Sequence, residues 1–299
     1  MKFILGGLLK FLKNQILRIN LIVVIALLLI HFVLKENNYF FSLLYYTLPL
    51  PLIIIAVVLF SIFQSKKIRT YNLILALVLS VIWFGRSFKI NTSEAIKETD
   101  IEVVFWNATH KREFKDVFDE VETLPDVVVL VEYHAEELAE TKLNYPDFFF
   151  YWHSESEIGI FSKMTIDIKE VVLSEDETVV INFFTNGINF YAIDVASSMN
   201  VYRKQQLKFV TESIKVIENT ILLGDFNTPL ESKFLNDIRT NFNQVLTEKG
   251  NGFRETWFWN IPLLSLDHIW VSKDLEIIKA EKISTFKSDH SMVKAVIRK

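Results

Sequence analysis

The sequence predicts an α+β protein in which an N-terminal anchor of three transmembrane helices precedes a soluble domain of mixed strands and helices. Three observations lead to this prediction. Long apolar runs are confined to residues 1–90, the net charge reverses beyond them, and short apolar stretches then alternate with segments of helical periodicity. The chain has 299 residues, which is enough for a small anchor and one large domain.

Charge divides the chain after residue 90. Residues 1–90 contain ten Lys or Arg and a single acid, Glu36, for a formal charge of +9. Residues 91–299 contain 22 basic and 35 acidic residues, for a charge of −13. A basic apolar segment followed by an acidic one is typical of a membrane anchor joined to a soluble domain. The absence of cysteine excludes disulfides and thiolate chemistry.

Three apolar runs, at 19–34, 40–63 and 72–88, predict the membrane helices. The second run alone exceeds the roughly 20 residues that a helix needs to cross a hydrocarbon core. Pro49 and Pro51 within it predict a kink, which membrane helices tolerate. Buried helices of a soluble protein are the alternative, and the near absence of acids from all three runs disfavours it.

Basic residues flank the apolar runs on alternate sides. Those before the first run and between the second and third are Lys2, Lys10, Lys13, Arg18, Lys66, Lys67 and Arg69. Positively charged loops remain in the cytoplasm, so we expect a multi-pass protein of the cell membrane whose domain after the third span is extracytoplasmic. Arg86 and Lys89, at the end of the third run, oppose this orientation.

A polar linker at 91–100 separates the anchor, at 1–90, from a domain at 101–299. Apolar runs of strand length predict strands at 103–106, 127–131, 158–162, 178–184, 188–193, 221–223, 269–271 and 292–297. Apolar residues three or four positions apart predict amphipathic helices at 114–121 and 207–217.

Six polar residues stand at the ends or beginnings of these predicted strands. They are Asn107, Glu132, Asp225, Asp267, Asp289 and His290. Polar side chains at strand ends can converge on one rim of a sheet while the strands themselves stay buried. Each residue alone is as well explained by a turn or a helix cap. Six of them together favour a functional site.

The order of these residues resembles the endonuclease/exonuclease/phosphatase superfamily over residues 102–298. The segments that carry the resemblance are VVFWNATH, PDVVVLVEYH, IGIFSK, GDFNT, SLDHIWVS and KSDHSMV. In IGIFSK, Lys163 stands where the family usually has Arg. The resemblance implies a four-layer α/β/β/α sandwich of two sheets.

The resemblance also implies a divalent-metal site. Glu132 would be the principal ligand, with Asn107 and Asp289 nearby. Carboxylate and carboxamide oxygens suit Mg²⁺ or Mn²⁺. Such an ion would offset the negative charge of a phosphate ester, which otherwise repels an anionic nucleophile.

Four further residues receive catalytic roles from the resemblance. Asp225 would activate the attacking water, and Asn227 would donate to the phosphate oxygens. His290, oriented and kept charged by Asp267, would contact the phosphate or support the water.

One position departs from the family pattern. The family usually has a histidine that contacts the phosphate after its middle strand, and INFYAIDVASS has Asp194 there. A carboxylate cannot donate a hydrogen bond unless it is protonated, and it could instead bind a second metal. His110, His134 and His153 are candidates to replace the missing imidazole, although ordinary surface histidines are the commoner case.

The predicted function is therefore that of a membrane-anchored, metal-dependent phosphoesterase acting on a phosphodiester or phosphomonoester. The acidic domain disfavours nucleic acid, which is normally held by Lys and Arg, relative to a lipid head group or small phosphodiester. The alternative is a catalytically weak relative that binds a phosphorylated ligand or a protein partner, because of Asp194.

Overall fold

A computed structural model describes residues 2–92, 94–197 and 200–299, without the side chains of residues 2–10, 12 and 13. The chain forms two compact units, Met1–Ser87 and Phe88–Lys299. The side chains of Lys2, Lys10 and Lys13, which contribute to the predicted orientation, lie outside the described residues.

The first unit consists of apolar helices. In chain order they are α1 (Lys2–Leu28), continued by a π-helical stretch (Leu29–Leu34), α2 (Tyr39–Thr47), α3 (Leu50–Ile62) and α4 (Lys66–Ser87). Two stretches, Asn14–Leu34 and Lys66–Ser87, have 21 and 22 residues and are apolar enough to cross a membrane. Helices α2 and α3 form a bent pair, which makes a third span if the two helices together are treated as one span.

The kink predicted at the two prolines is a bend of 73° between α2 and α3. Pro49 precedes α3, and Pro51 lies in its first turn. Backbone N–H groups in the first turn have no helical partner, so a proline there breaks no hydrogen bond. Other helix limits differ from those predicted. Helix α1 begins well before residue 19, and α4 includes Lys66, Lys67 and Arg69, which we had expected in a loop.

Apolar side chains cover the outside of the first unit as well as its interior. Val57 is fully buried, whereas Leu77 and Val81 are each 65% exposed. Such an exterior is unfavourable in water and suits lipid. Inside, the Asn72 amide donates to the Asn20 side-chain oxygen at 2.8 Å, so these two buried polar groups satisfy each other.

The second unit contains strands and short helices. Its strands are, in chain order, β1 (Phe88–Lys89), β2 (Ile101–Asn107), β3 (Val127–Val131), β4 (Phe149–His153), β5 (Ile158–Ser162), β6 (Asp167–Leu173), β7 (Val179–Thr185), β8 (Ile188–Asp194), β9 (Thr220–Asp225), β10 (Phe242–Gln244), β11 (Gly252–Phe253), β12 (Asp267–Ser272), β13 (Glu276–Ile283) and β14 (Met292–Arg298). Its helices are α5 (Phe114–Glu120), α6 (Leu138–Asn144), α7 (Arg203–Ser213), α8 (Asn236–Asn241) and α9 (Val245–Glu248), with a 3₁₀ turn at Lys233–Leu235.

The strands form two six-stranded sheets, and β1 pairs separately with β11. The order is β13-β14-β2-β3-β5-β4 in one sheet and β10-β12-β9-β8-β7-β6 in the other. Each sheet has one parallel pair near its middle, β2 with β3 and β8 with β9, and the other described pairs are antiparallel. Each parallel pair sends two strand ends to the same edge of its sheet.

The two sheets pack face to face, and helices cover their outer faces. Phe105 of β2 and Phe190 of β8 belong to the same core between the sheets. Trp106 packs with Phe114 of α5 on one outer face, and Leu207 of α7 lies in the core on the other. Each large side chain buried in this way contributes about 1.5–3 kcal/mol. The predicted α/β/β/α sandwich is confirmed.

Helix α7 is shorter than its sequence pattern predicts. Ile217 continues the apolar spacing, but the helix ends at Ser213 and Ile217 is 53% exposed. The backbone N–H of Lys215 donates to the Tyr191 hydroxyl at 3.0 Å instead of to a helical carbonyl. A contact with the neighbouring sheet therefore replaces the last turn of the predicted helix.

Gly224 allows β9 to approach β8 just before Asp225. A Cβ atom at this position would lie 1.9 Å from the carbonyl oxygen of Ile193, which no side chain can accommodate without moving the strand. The glycine of the GDFN segment is therefore required by packing, and it places Asp225 beside the end of β8.

Candidate active site

The end of the parallel pair β2–β3 supplies two of the predicted site residues. Asn107, the last residue of β2, pairs in register with Val131, and Glu132 follows β3 directly. The side-chain amide of Asn107 donates to Glu132 Oε1 at 3.0 Å. Glu132 has a φ of 50°, and this left-handed turn directs the chain away from the sheet immediately after the carboxylate.

The other sheet brings three carboxyl groups together at one edge. Asp194, at the end of β8, pairs in register with Asp225, at the end of β9. Asp267, at the start of the antiparallel strand β12, pairs with Asp225 from the other side. Convergence follows from strand directions, because β12 begins where the two parallel strands end.

Asn107 joins the two halves of the site across the sandwich. The same amide nitrogen that donates to Glu132 lies 3.1 Å from Asp225 Oδ2 in the opposite sheet. Its side-chain oxygen accepts the backbone N–H of Thr109 at 2.9 Å, which orients the amide. A nitrogen with two hydrogens can serve both carboxylates at once.

His290 lies against Asp267 and close to Asp225. Its Nδ1 is 2.9 and 3.0 Å from the two carboxylate oxygens of Asp267, and 3.9 Å from Asp225 Oδ2. Burial alone would lower the pKa of His290, but the attraction and hydrogen bond of Asp267 outweigh it and raise the pKa to about 10. The imidazole is therefore positively charged at neutral pH.

Asn227 sits on a left-handed turn two residues after Asp225, with a φ of 45°. Its backbone N–H donates to Asp225 Oδ1 at 2.8 Å, and its side-chain amide donates to the carbonyl of Val195 at 2.7 Å. The second hydrogen of that amide remains available to a ligand. The turn thus holds Asp225 and presents one amide donor beside it.

Asp225 and Asp267 are buried side by side, Asp194 and Glu132 are partly buried beside them, and this crowding raises pKa values in the site. Burial and the neighbouring Asp267 raise the pKa of Asp225 to about 7. Burial, followed by repulsion from Asp225 and Glu132, raises the pKa of Asp194 well above its ordinary value. Clustered acids of this kind have more negative charge than the single His290 can offset.

Asp289 directly precedes His290, and an aromatic side chain holds its carboxylate. Its Oδ2 accepts the indole N–H of Trp257 at 3.0 Å. The contacts of the described residues join Asn107, Glu132, Asp225, Asn227, Asp267 and His290, and strand register places Asp194 beside Asp225.

Two residues of the site were not predicted from the sequence. Ser288 donates to the carbonyl of Asn107 at 3.0 Å and accepts the backbone N–H of His290 at 3.0 Å, so it ties β2 to the His290 loop. Trp257 orients Asp289. Ser288 lies within the KSDHSMV segment, which could have indicated it, whereas the aromatic run around Trp257 has no pattern that points to a site.

The donor atoms of the site fit a hard divalent cation. Glu132 and Asp225 offer carboxylate oxygens on the two sides of the Asn107 amide, and Asp267 adds a third carboxylate with an oxygen within 4.8 Å of one of Asp225. Oxygen donors and excess negative charge are what Mg²⁺ and Mn²⁺ require.

A cavity of about 700 Å³ opens beside these residues. Its lining includes the carboxyl groups of Glu132, Glu155, Glu157, Glu177 and Asp194. None of the described residues that line it is Lys or Arg. The entrance to the site is therefore strongly acidic.

Comparison with known proteins agrees with this architecture. The profile of the Endonuclease/Exonuclease/phosphatase family matches residues 104–290. No curated protein sequence matches the chain significantly.

Similar solved structures share the fold at low sequence identity. A structure of D. rerio TDP2 complexed with a single-strand DNA product has a TM-score of 0.51 and 15% identity, covering 68% of this chain and 100% of that one. A Bacteroides thetaiotaomicron endonuclease/exonuclease/phosphatase family protein has a TM-score of 0.52 and 16% identity, covering 68% and 98%. The mannosyl-6-phosphatase of Bacteroides thetaiotaomicron has a TM-score of 0.52 and 15% identity, covering 67% and 100%. Because the family profile spans more than half of the sequence, the chain is a member of the endonuclease/exonuclease/phosphatase family of phosphatase-like and nuclease-like hydrolases.

Proposed function

We propose that this chain is a membrane-anchored phosphoesterase that depends on Mg²⁺ or Mn²⁺ and hydrolyses a phosphodiester or phosphomonoester. The observation that carries the proposal is the continuous set of contacts from Glu132 through Asn107 and Asp225 to His290 and Asp267. It combines a metal-binding carboxylate, a buried base and a charged imidazole within one edge of the sandwich.

Each residue has a role that follows from its surroundings. Glu132 and Asn107, with Asp289, would hold the cation, which when bound neutralises phosphate charge and stabilises the leaving oxygen. Asp225 accepts the proton of the attacking water, since its raised pKa makes it a stronger base than an ordinary aspartate.

Two donors would hold the phosphate itself. One N–H of the Asn227 side-chain amide donates to the carbonyl of Val195. The other N–H of the same amide can donate to a phosphate oxygen. The positive charge of His290, maintained by Asp267, stabilises the negative charge that develops on the phosphoryl oxygens.

The acidic cavity favours a small phosphoester or a lipid head group as substrate. A polyanion such as DNA would meet the carboxyl groups of the lining without a compensating Lys or Arg among the described residues there. Nucleic acid is the second candidate, because the similar TDP2 structure contains a single-strand DNA product. Comparing the rates on sphingomyelin, inositol phosphates, RNA and single- and double-stranded DNA would decide between them.

Metal dependence can be tested with the full chain in detergent and bis(p-nitrophenyl) phosphate as substrate. We expect hydrolysis with Mg²⁺ or Mn²⁺, loss of activity with EDTA, and recovery when metal is returned. Glu132→Gln should raise the metal concentration that gives half-maximal rate, because a carboxamide is a weaker ligand for a hard cation. Activity that survives EDTA, or a Glu132→Gln variant with an unchanged metal requirement, would contradict the proposal.

The alternative of a catalytically weak, ligand-binding relative is motivated by Asp194. Asp194→His introduces the imidazole that the family usually has, beside Asp225 at the end of β8. If Asp194 weakens the common mechanism, we expect this variant to hydrolyse bis(p-nitrophenyl) phosphate faster than the unmodified chain. A collapse of activity would instead assign Asp194 a role of its own.

We also propose that the hydrolase unit is extracytoplasmic, with three spans in the membrane. The proposal rests on the alternating basic segments and on the apolar exterior of the first unit. Alkaline phosphatase fused to Lys299 should be active in cells, and a fluorescent protein fused there should stay dark. The opposite pattern, with fluorescence and no phosphatase activity, would reverse the orientation.

A further inference from the structure

Two histidines and a glutamate form a second cluster of metal-ligating side chains. His110 Nδ1 is 3.1 Å from Glu157 Oε2, and His134 Nε2 is 3.3 Å from Glu157 Oε1. The two imidazole rings stack with centroids 4.7 Å apart. One ligand atom from each of the three residues lies within 4.8 Å of the others. The roles assigned above to the hydrolase site use none of these three side chains.

The ring of His110 contacts two glutamates. Its Nε2 is 3.3 Å from Glu132 Oε2, so both ring nitrogens face carboxylate oxygens. An imidazole that donates one N–H to Glu132 keeps a lone pair on its other nitrogen, which can bind a cation.

The stacked rings, with centroids 4.7 Å apart, bring His110 Nδ1 and His134 Nε2 to the two oxygens of one carboxylate, that of Glu157. One dication can therefore take all three side chains as ligands. The Nε2–H of His110 is then free to donate to Glu132, the arrangement in which a ligating histidine is usually held by a carboxylate.

The backbone holds these side chains in position through three connected loops. His110 and Glu157 have φ values of 58° and 51°, and Ala135, next to His134, has 59°. The left-handed region is unfavourable for residues other than glycine, so other contacts must hold these loops in place. The His110 N–H donates to the Glu132 carbonyl at 2.7 Å, and the Tyr133 N–H to the Glu157 carbonyl at 2.8 Å. The loops are thus tied to one another before any ligand binds.

We propose that His110, His134 and Glu157 form a binding site for a transition-metal dication of the zinc class. Two imidazole nitrogens and a carboxylate are the donors that Zn²⁺, Co²⁺ and Ni²⁺ accept readily, whereas Mg²⁺ and Ca²⁺ prefer oxygen alone. Three protein ligands leave a coordination position open toward the acidic cavity, which His110 and Glu157 also line. Through His110, an ion at this site is linked to Glu132.

The test measures binding of Zn²⁺ alone, without Mg²⁺ or substrate, to the full chain in detergent. After chelation and removal of any affinity tag, Zn²⁺ is titrated calorimetrically into the unmodified chain and into His110→Ala, His134→Ala and Glu157→Gln. We expect one tightly bound Zn²⁺ per chain and at least tenfold weaker binding in each variant. Titrated Co²⁺ should give the intense visible absorption of a tetrahedral site.

His153→Ala is the matched control. His153 contacts Ser156 at 2.9 Å, and among the described residues no hydrogen bond, ion pair or ring contact joins it to the cluster, so its removal should leave Zn²⁺ binding unchanged. If an alanine variant unfolds, as judged by circular dichroism, the isosteric Glu157→Gln variant carries the test.

Two outcomes would overturn the proposal. The first is no stoichiometric Zn²⁺ binding. The second is tight binding that persists in the cluster variants and is lost in Asp267→Asn, which would assign the ion to the Asp225, Asp267 and His290 group. Because the readout is binding of Zn²⁺ without substrate, either failure leaves the proposed phosphoesterase activity to be judged by its own assay.

Discussion

Replacing Asp225 by Asn is expected to lower kcat by roughly 10²–10⁴-fold at saturating metal, the range typical for removing a general base. A carboxamide has nearly the same shape as the carboxylate but cannot accept the proton of the attacking water. The carboxamide oxygen can still accept the backbone N–H of Asn227, which donates to Asp225 Oδ1 at 2.8 Å in the unmodified chain. The measurement is steady-state hydrolysis of bis(p-nitrophenyl) phosphate by the full chain.

The Asp225→Asn variant should remain folded, because removal of an unfavourable buried charge offsets the lost hydrogen bond from Asn107 to Oδ2. Burial and Asp267 raise the pKa of Asp225, so its charge is unfavourable in the folded state and its removal costs little. Asp274→Asn is the control, since Asp274 is exposed and also accepts a backbone N–H, that of Asn219 at 2.7 Å. Activity of Asp225→Asn within a few-fold of this control would exclude Asp225 as the base.

The second large effect is expected for His290→Ala, which should lower kcat by roughly 10²–10³-fold, as for loss of a group that stabilises the transition-state charge. Metal binding should survive, because no hydrogen bond among the described residues connects the imidazole to Glu132 or Asn107. The same variant should be destabilised by about 3–5 kcal/mol, because Asp267, fully buried, loses its charge partner.

A double variant separates the two effects of His290→Ala. His290→Ala combined with Asp267→Ala removes both charges and should recover much of the stability lost by the single variant. It should recover none of the activity. Thermal unfolding and the hydrolysis assay are measured on the same preparations. If activity returned together with stability, His290 would have a structural role only.

The sequence alone predicted the strands whose pattern is continuous and apolar. Runs such as VVVLV at 127–131 and ILL at 221–223 are buried on both faces, so burial favours a hydrophobic side chain at every position. Strands β1, β4, β6, β10, β11 and β13 were missed. Strand β6, DIKEVVL, lies at a sheet edge with most of its residues exposed, and edge strands need no apolar run.

Membership of the family was also predictable from the sequence, and the matched profile confirms it. The motifs are short polar segments placed at the ends of buried strands, and their order along the chain is readable without coordinates. Their assigned chemical roles stay predictions, which the variants above address.

The cluster of His110, His134 and Glu157 could not be found in this way. Its members are separated by 24 and 23 residues and follow three different strands. Only the parallel pairing of β2 with β3, and the pairing of β3 with β5, brings their loops to one edge.

The sequence by itself determined which residues end the buried strands, because hydrophobic burial depends on residue type and on local spacing. It also determined the division into an apolar basic segment and an acidic domain. Tertiary structure alone decided that Asn107 bridges Glu132 and Asp225 across two sheets, that Ser288 holds His290, and that Trp257 holds Asp289. The reason is physical: hydrogen bonds and charge interactions act over a few ångströms, and strand register and loop conformation decide which distant residues come that close.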